Sequence, residues 1–365
     1  MRAALLTLAS TLLACGGEGG PTSFGGMTQP GVTTVPAATA TSTTDTSSSG
    51  APADSSTSTS TSASTSSSTS DAPLWDMGMP DFGPQQPAGC AGKIDFLFVV
   101  SSDGTMSFSQ KELVASLPGF MDAIQEKFSD FDYHILSANT DKSWVLEDCS
   151  VCTEGCDPQG ELPHCSAAVT ACDKMLGAGV TFPVGKDASN RLCAIDGEQR
   201  YLTTGQQDLD EVFACTARVG TYGSPLTAEA MVAALQPAIN DPEDPYACNR
   251  GFLRDDALLV VTLIDDGFDH YSLGTVEDWV EALRAAKNYD DDAFAVLVLT
   301  TDVDLGYHQL CHPTELSGTK NPLRRLTEQV AHGWTGSICM DSFVPFFTEH
   351  VDDLVELCDQ FVPPG

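Results

Sequence analysis

The chain has 365 residues, with 51 acidic against 17 basic side chains and a net charge of −34. A field of that sign repels nucleic acid and anionic headgroups and attracts cations and basic surfaces, which argues against nucleic acid as a partner. The same charge also serves plain solubility.

Residues 1–15 carry one Arg, a short apolar stretch and small residues near the end. This is the pattern of an export signal, too short to span a bilayer. Leu12-Leu13-Ala14-Cys15 resembles the lipobox of bacterial lipoproteins, with Leu less usual at its second place. The resemblance implies a signal peptide of residues 1–14 and acylation of Cys15. Several acyl chains on one residue anchor firmly, where a single chain binds only marginally. Gly16, with no Asp beside the cysteine, suits the outer membrane or cell surface of a Gram-negative bacterium. The alternative is an ordinary cleaved signal and a fortuitous cysteine.

Residues 15–89 read as a tether rich in Gly, Pro, Ser and Thr. Such a segment has too little apolar surface to offset the entropy of ordering. As a flexible coil it spans roughly 50 Å root-mean-square.

Residues 90–365 are long enough for one large domain with a real core. Ile94 to Val100 is a near-continuous apolar run, suited to a strand buried on both faces. It ends in Ser101-Ser-Asp-Gly-Thr105, and a helix follows from about Phe108 to Phe128. Leu113, Leu117, Phe120, Met121, Ile124 and Phe128 share one face of that helix. Ser109 and Glu112 form a candidate capping box, and Pro118 is expected to kink or divide the helix. Tyr133 to Ala138 reads as the second strand.

Residues from about 141 to 200 read as a cysteine-rich insertion held by disulfides rather than by a core. Arg200 to Thr203 is a candidate edge strand, and Leu209 to Ala217 a helix after an Asp208 cap. Ser224 and Pro225 have the chemistry of a helix start, followed by Met231, Val232 and Leu235. Ala257 to Ile264 is a second buried strand ending in Asp265-Asp266-Gly267, with a helix of about a dozen residues after it. Ala293 to Leu299 is another, ending near Asp302 and Asp304. Phe347, Val351, Leu354, Cys358 and Phe361 have the spacing of a last helix, bracketed by Cys339 and Cys358. A bond between those two cysteines is expected to pin the C-terminus. The alternation predicts an α/β fold of three layers, a mostly parallel sheet with helices on both faces.

The chain has 13 cysteines. Apart from Cys15 they are Cys90, Cys149, Cys152, Cys156, Cys165, Cys172, Cys193, Cys215, Cys248, Cys311, Cys339 and Cys358. An even set in an exported chain reads as disulfides. Cys149-x2-Cys152-x3-Cys156, followed by His164-Cys165, leaves zinc as the alternative.

Three polar turns are placed to meet at one edge of the sheet: Ser101-x-Asp103-x-Thr105, Gly223-Ser224-Pro225-Leu226, and Asp265. With these residues the chain resembles a von Willebrand factor type A domain over roughly residues 93–361. That family has a D-x-S-x-S strand end, a loop threonine often in G-T-P-L, and a late aspartate, together holding a divalent cation. The resemblance implies a metal site of Ser101, Asp103, Thr105, Ser224 and Asp265, with the first carboxylate moved two places along its loop. Two carboxylates and three hydroxyls suit a hard cation, Mg2+ or Ca2+. The family implies a protein or glycan partner that offers an acidic group to the ion. In the bland reading, Asp103 and Gly104 make a plain turn and Asp265 only ends a strand.

Other patterns are weaker. Asp265, Asp266 and Asp269 resemble a fragment of a calcium loop, and His270 falls close by. There is no phosphate-binding loop and no nucleophile elbow, so no enzyme is expected. A secreted hydrolase would need a nucleophile or activated water that the sequence does not display. The leading expectation is an envelope-anchored binding domain. The alternative is a metal-free, disulfide-stabilised module.

Overall fold

A computed structural model describes residues 89–90, 92–127, 131–141, 170–221, 223, 225–306, 310–311 and 319–363. The signal, Cys15, nearly all of the tether, Cys149, Cys152, Cys156, His164, Cys165 and Ser224 lie outside the described residues.

The apolar runs form a six-stranded sheet. Its strands are β1 (Lys93–Val100), β2 (Asp132–Asn139), β3 (Leu202–Thr203), β4 (Leu258–Asp265), β5 (Phe294–Thr300) and β6 (Gly333–Ser337). Their order is β3-β2-β1-β4-β5-β6, and only the β2–β3 pair is antiparallel. Side chains alternate between the two faces. Phe96, Phe98 and Val100 enter one core, whereas Leu97 and Val99 enter the other. Both faces are covered, which is why β1, β4 and β5 read as unbroken apolar runs.

The first core lies beneath α1 (Ser107–Lys127), α2 (Leu209–Ala217), α7 (Val344–Glu349) and α8 (Val351–Gln360). Phe96 meets Phe120 edge-on at 5.6 Å, and Phe120 packs on Phe347 at 5.0 Å. Such aromatic contacts add to the area they bury. The second core lies beneath α3 (Thr227–Ala234), α5 (Val276–Ala286) and α6 (Pro322–Thr327), with the short α4 (Pro237–Asn240) following α3.

Several local expectations are corrected. Pro118 does not divide the helix but sits inside Ser107–Lys127, because the buried face carrying Leu113, Leu117, Phe120 and Met121 outweighs a lost backbone bond. Ser109 is buried in the third position of α1, so it does not cap that helix. Asp208 does stand before α2, but its side chain makes no cap bond. The terminal pattern is two helices broken at His350, whose ring stacks on Trp334 at 4.8 Å. Cys339 does not bond Cys358. The disulfides among described residues are Cys90–Cys358, Cys172–Cys248, Cys193–Cys215 and Cys311–Cys339. Cys358 lies beside the chain entry, where the Cys90 amide also donates to the Cys358 carbonyl at 2.8 Å. Among the described residues no helix is long and apolar enough to cross a membrane.

Candidate functional site

Strand order reverses at β1. Its chain successor β2 lies on one side and β4 on the other. In open α/β sheets the carboxyl end of such a switch is the usual binding crevice. Parallel pairing sets Val100 opposite Ile264, so the Ser101 turn and Asp265 leave the sheet side by side. The Ser101 amide donates to the Ile264 carbonyl at 2.9 Å.

The β1 turn is braced from within and behind. The Asp103 amide donates to Ser101 Oγ at 3.2 Å, and the Ser102 amide to Thr140 Oγ1 at 3.1 Å. Gln110 Nε2 donates to the Ser101 carbonyl at 2.9 Å and to the Gly220 carbonyl at 2.8 Å. One buried amide thereby joins the β1 turn to the loop before α3. At Gly223 a Cβ would lie 2.4 Å from Ser102 Oγ and 2.5 Å from Asp141 Oδ2. Only glycine lets the backbone pass so close.

Asp103 and Asp266 are joined through one hydroxyl. Thr105 donates from its amide (3.2 Å) and its Oγ1 (2.9 Å) to Asp103 Oδ1, and Oγ1 also meets Asp266 Oδ2 in a short contact. A threonine hydroxyl has one hydrogen to donate. The two carboxylate oxygens around it therefore share that one hydrogen. Burial raises the Asp266 carboxyl above its ordinary range, and the Asp103 charge adds to the rise.

Asp265 is fully buried, and both its oxygens have protein donors. Thr227 Oγ1 donates to Oδ2, and the Gly267 amide to Oδ1 at 2.8 Å. Burial, against these two bonds, pushes its pKa up to about 7. Asp269 caps α3 from outside, accepting from the amides of Thr227 (3.2 Å) and Ala228 (2.9 Å). A carboxylate at a helix N-terminus is favoured by the dipole and the unpaired amides there. Burial raises Asp269 as well.

Of the residues the resemblance assigns, Ser101, Asp103 and Thr105 share one turn, and Asp265 ends the neighbouring strand. Ser224 lies outside the described residues. Helix α3 begins at Thr227, with Leu226 in the cap position. The residue that reaches Thr105 is Asp266, which the sequence offered only within a calcium-loop fragment, and the hydroxyl on Asp265 belongs to Thr227, which the sequence reading did not single out. Thr227 follows directly on Gly223-Ser-Pro-Leu226, and a choice between two nearby hydroxyls needs the backbone path. His270 is exposed and stacks on Phe268 at 5.5 Å.

Among the described residues no three His, Cys, Asp or Glu side chains gather as a metal-holding group. The open donors at the mouth are Asp103, Asp266 and Thr105, all oxygen, a set that suits a hard cation completed by water. It does not form a closed cage.

No family model matches the chain, and no curated protein matches it. Among solved structures it is similar to proximal thread matrix protein 1 of the mussel byssus, with a TM-score of 0.31 and 11% identity. That overlap covers 74% of this chain and 47% of the mussel protein, so the chain spans about half its length. It is also similar to the manganese-loaded TRAP protein of Plasmodium vivax, with a TM-score of 0.28 and 12% identity over 73% of this chain and 72% of that one.

Proposed function

We propose that residues 90–365 are a binding domain of von Willebrand type A character that engages a protein or glycan at the carboxyl edge of its sheet. The observation that carries this reading is the bridge of Asp103, Thr105 and Asp266 at the β1–β4 switch. These three residues would hold a divalent cation, Ca2+ or Mg2+, with Ser101 Oγ behind them. A bound cation supplies an open coordination position for an acidic group of the partner. Asp265, Thr227 and Asp269 form the buried support that fixes the start of α3 against the end of β4. Acylated Cys15 and the tether of residues 15–89 would carry the domain clear of the outer membrane.

Calorimetric titration of the full chain with Ca2+ and Mg2+ tests the cation. Saturable binding is expected, weakened at least about tenfold by Asp103→Ala and by Asp266→Ala, since each removes a charged ligand. Binding untouched by both substitutions refutes it. The second reading is a metal-free module of the envelope, favoured by the four disulfides among the described residues and by the saturation of Asp265 with protein donors. Melting with and without chelator separates the two, because a bound ion stabilises by mass action.

A further inference from the structure

The loop after β4 carries apolar side chains that the core does not use. Residues 266–275 lead from Asp265 into α5. Tyr271 is 67% exposed and Leu273 72%, and the exposed His270 stacks on half-buried Phe268. Phe108, 56% exposed, stands three residues beyond Thr105, whose hydroxyl meets Asp266 at the head of this loop. Exposed apolar side chains grouped on one loop mark a contact surface, where single scattered ones do not.

The loop is held at several points. Asp269 accepts the first two amides of α3. The Glu229 amide donates to Ser272 Oγ at 3.0 Å, and the Leu273 amide donates back to Glu229 Oε2 at 3.1 Å. Trp279 Nε1 donates to the Leu273 carbonyl at 3.0 Å, and Thr300 Oγ1 and Asn321 Nδ2 donate to the Gly267 carbonyl at 3.2 and 3.3 Å. Tyr271 and Leu273 therefore project from a fixed backbone. A surface ordered in advance loses little freedom on binding, and tyrosine is among the residues that carry interface energy.

Charge decides what fits. Stretches 94–110, 219–249, 255–283 and 288–319 hold the turns after β1, β4 and β5 and the loop before α3, and none contains Lys or Arg. In and before α6, Lys320 pairs with Glu328, Arg324 with Asp304 and Arg325 with Glu277. Lys186 and Arg218 lie along the insertion, where the Thr221 amide meets the Lys186 carbonyl and the Ser189 amide the Arg218 carbonyl. Asp266 opens the loop, and Asp278 follows it in the first turn of α5. Positive charge must come from the partner.

We propose that residues 266–275, with Phe108 across the Thr105–Asp266 contact, form the contact surface for a protein partner that sets an apolar anchor among lysines and arginines. The anchor lies against Tyr271 and Leu273, and its basic neighbours face Asp266 and Asp278. A second copy of this chain brings the same acidic edge and is repelled, as are nucleic acid and anionic lipid. A neutral glycan makes no use of Leu273. The inference rests on the reading that the carboxyl edge is the binding face, but not on a cation at Asp103 and Asp266.

Selection of a random dodecapeptide display library on the full chain, in Ca2+ and in chelator, tests the proposal. Enriched peptides are expected to carry an aromatic or aliphatic residue flanked by lysine or arginine, and to bind under both conditions. The double variant Tyr271→Ser, Leu273→Ser is expected to raise the Kd of such a peptide about tenfold or more in anisotropy titrations. Tyr246→Ser, at an exposed tyrosine in the loop between α4 and β4, is expected to leave it unchanged. All of these side chains are exposed, so the variants are expected to melt with the wild type. The proposal is overturned if no peptide is enriched, or if the enriched ones lack Lys and Arg. Equal binding by the double variant overturns it too, since the attraction is then only that of an acidic protein. Peptides that require Ca2+ and bear Asp or Glu overturn it while upholding the cation site. Basic peptides that bind in chelator, where calorimetry finds no bound ion, uphold it and remove the cation site alone. Neutral glycans bound by the wild type and lost by the double variant assign the loop to sugar and overturn it.

Discussion

The hydroxyl of Thr227 donates to the carboxylate of Asp265 across 38 residues of sequence, locking the first turn of α3 to the last residue of β4. Asp265 is fully buried, so its second donor, the Gly267 amide, cannot be replaced by water. Thr227→Val keeps the shape and removes the hydroxyl. Leaving a buried carboxyl short of one bond costs about 1–3 kcal/mol. Chemical denaturation is expected to show that loss, and Thr227→Ser to restore most of it.

The same carboxyl makes stability depend on pH. Its pKa rises from the ordinary 3.8 to about 7 on folding. Below the lower value it is protonated in both states. Between the two only the unfolded chain ionises, so stability falls as pH rises, by up to about 1.4 kcal/mol per pH unit, and levels off above the folded value. Asp95 is pushed up to about 7 by burial against the lowering pull of Arg254, so it titrates in the same window. Asp265→Asn is therefore expected to flatten only part of the slope in denaturation curves taken from pH 4 to 8.

Asp95 and Arg254 form the central polar contact of the amino edge. Asp95 has no exposed surface and accepts both the Arg254 amide (2.7 Å) and Nε (2.8 Å). Removing Arg254 leaves the buried Asp95 carboxyl without its charged partner and donors, at about 3–5 kcal/mol. Arg254→Met is expected to lower the denaturation midpoint by a corresponding amount. Adding Asp95→Asn to that variant should recover a large part, because the amide carries no ionisable group that needs a charged partner.

Disulfide loss should scale with the loop each bond closes. Cys90–Cys358 closes 268 residues and Cys193–Cys215 closes 22. Loop-closure entropy makes the first worth about 2 kcal/mol more than the second. Paired Cys→Ser variants compared by thermal melting should show the larger fall for Cys90/Cys358.

Gly223→Ala probes the crevice. Its new Cβ would collide with Ser102 Oγ and Asp141 Oδ2 and push the loop away from the β1 turn. Overpacking of this kind costs about 1–3 kcal/mol. Ligand or ion affinity at the carboxyl edge is expected to fall more than melting temperature does, because the displaced loop borders the crevice and not the core.

The central strands were legible because each is buried on both faces, which leaves a continuous apolar run. β6, Gly-Trp-Thr-Gly-Ser, was not: it is an edge strand with every residue half-buried, and its composition resembles a turn. The break at His350 was hidden because the apolar spacing runs on through it, and the break depends on the ring packing between Trp334 and Phe346. The partner of Cys358 was hidden for a related reason. Cys339 is nearer in sequence, but α8 returns beside the entry of β1.

Sequence alone determined the α/β class, the buried strands and the polar turns at their ends, since those follow from local apolar patterning and chain stiffness. Tertiary structure decided which oxygens meet. It put Thr227 on Asp265, Asp266 on Thr105 and Asp269 at the start of α3. Those contacts depend on backbone paths through loops, where a shift of one residue redirects a side chain and no periodic signal records the choice.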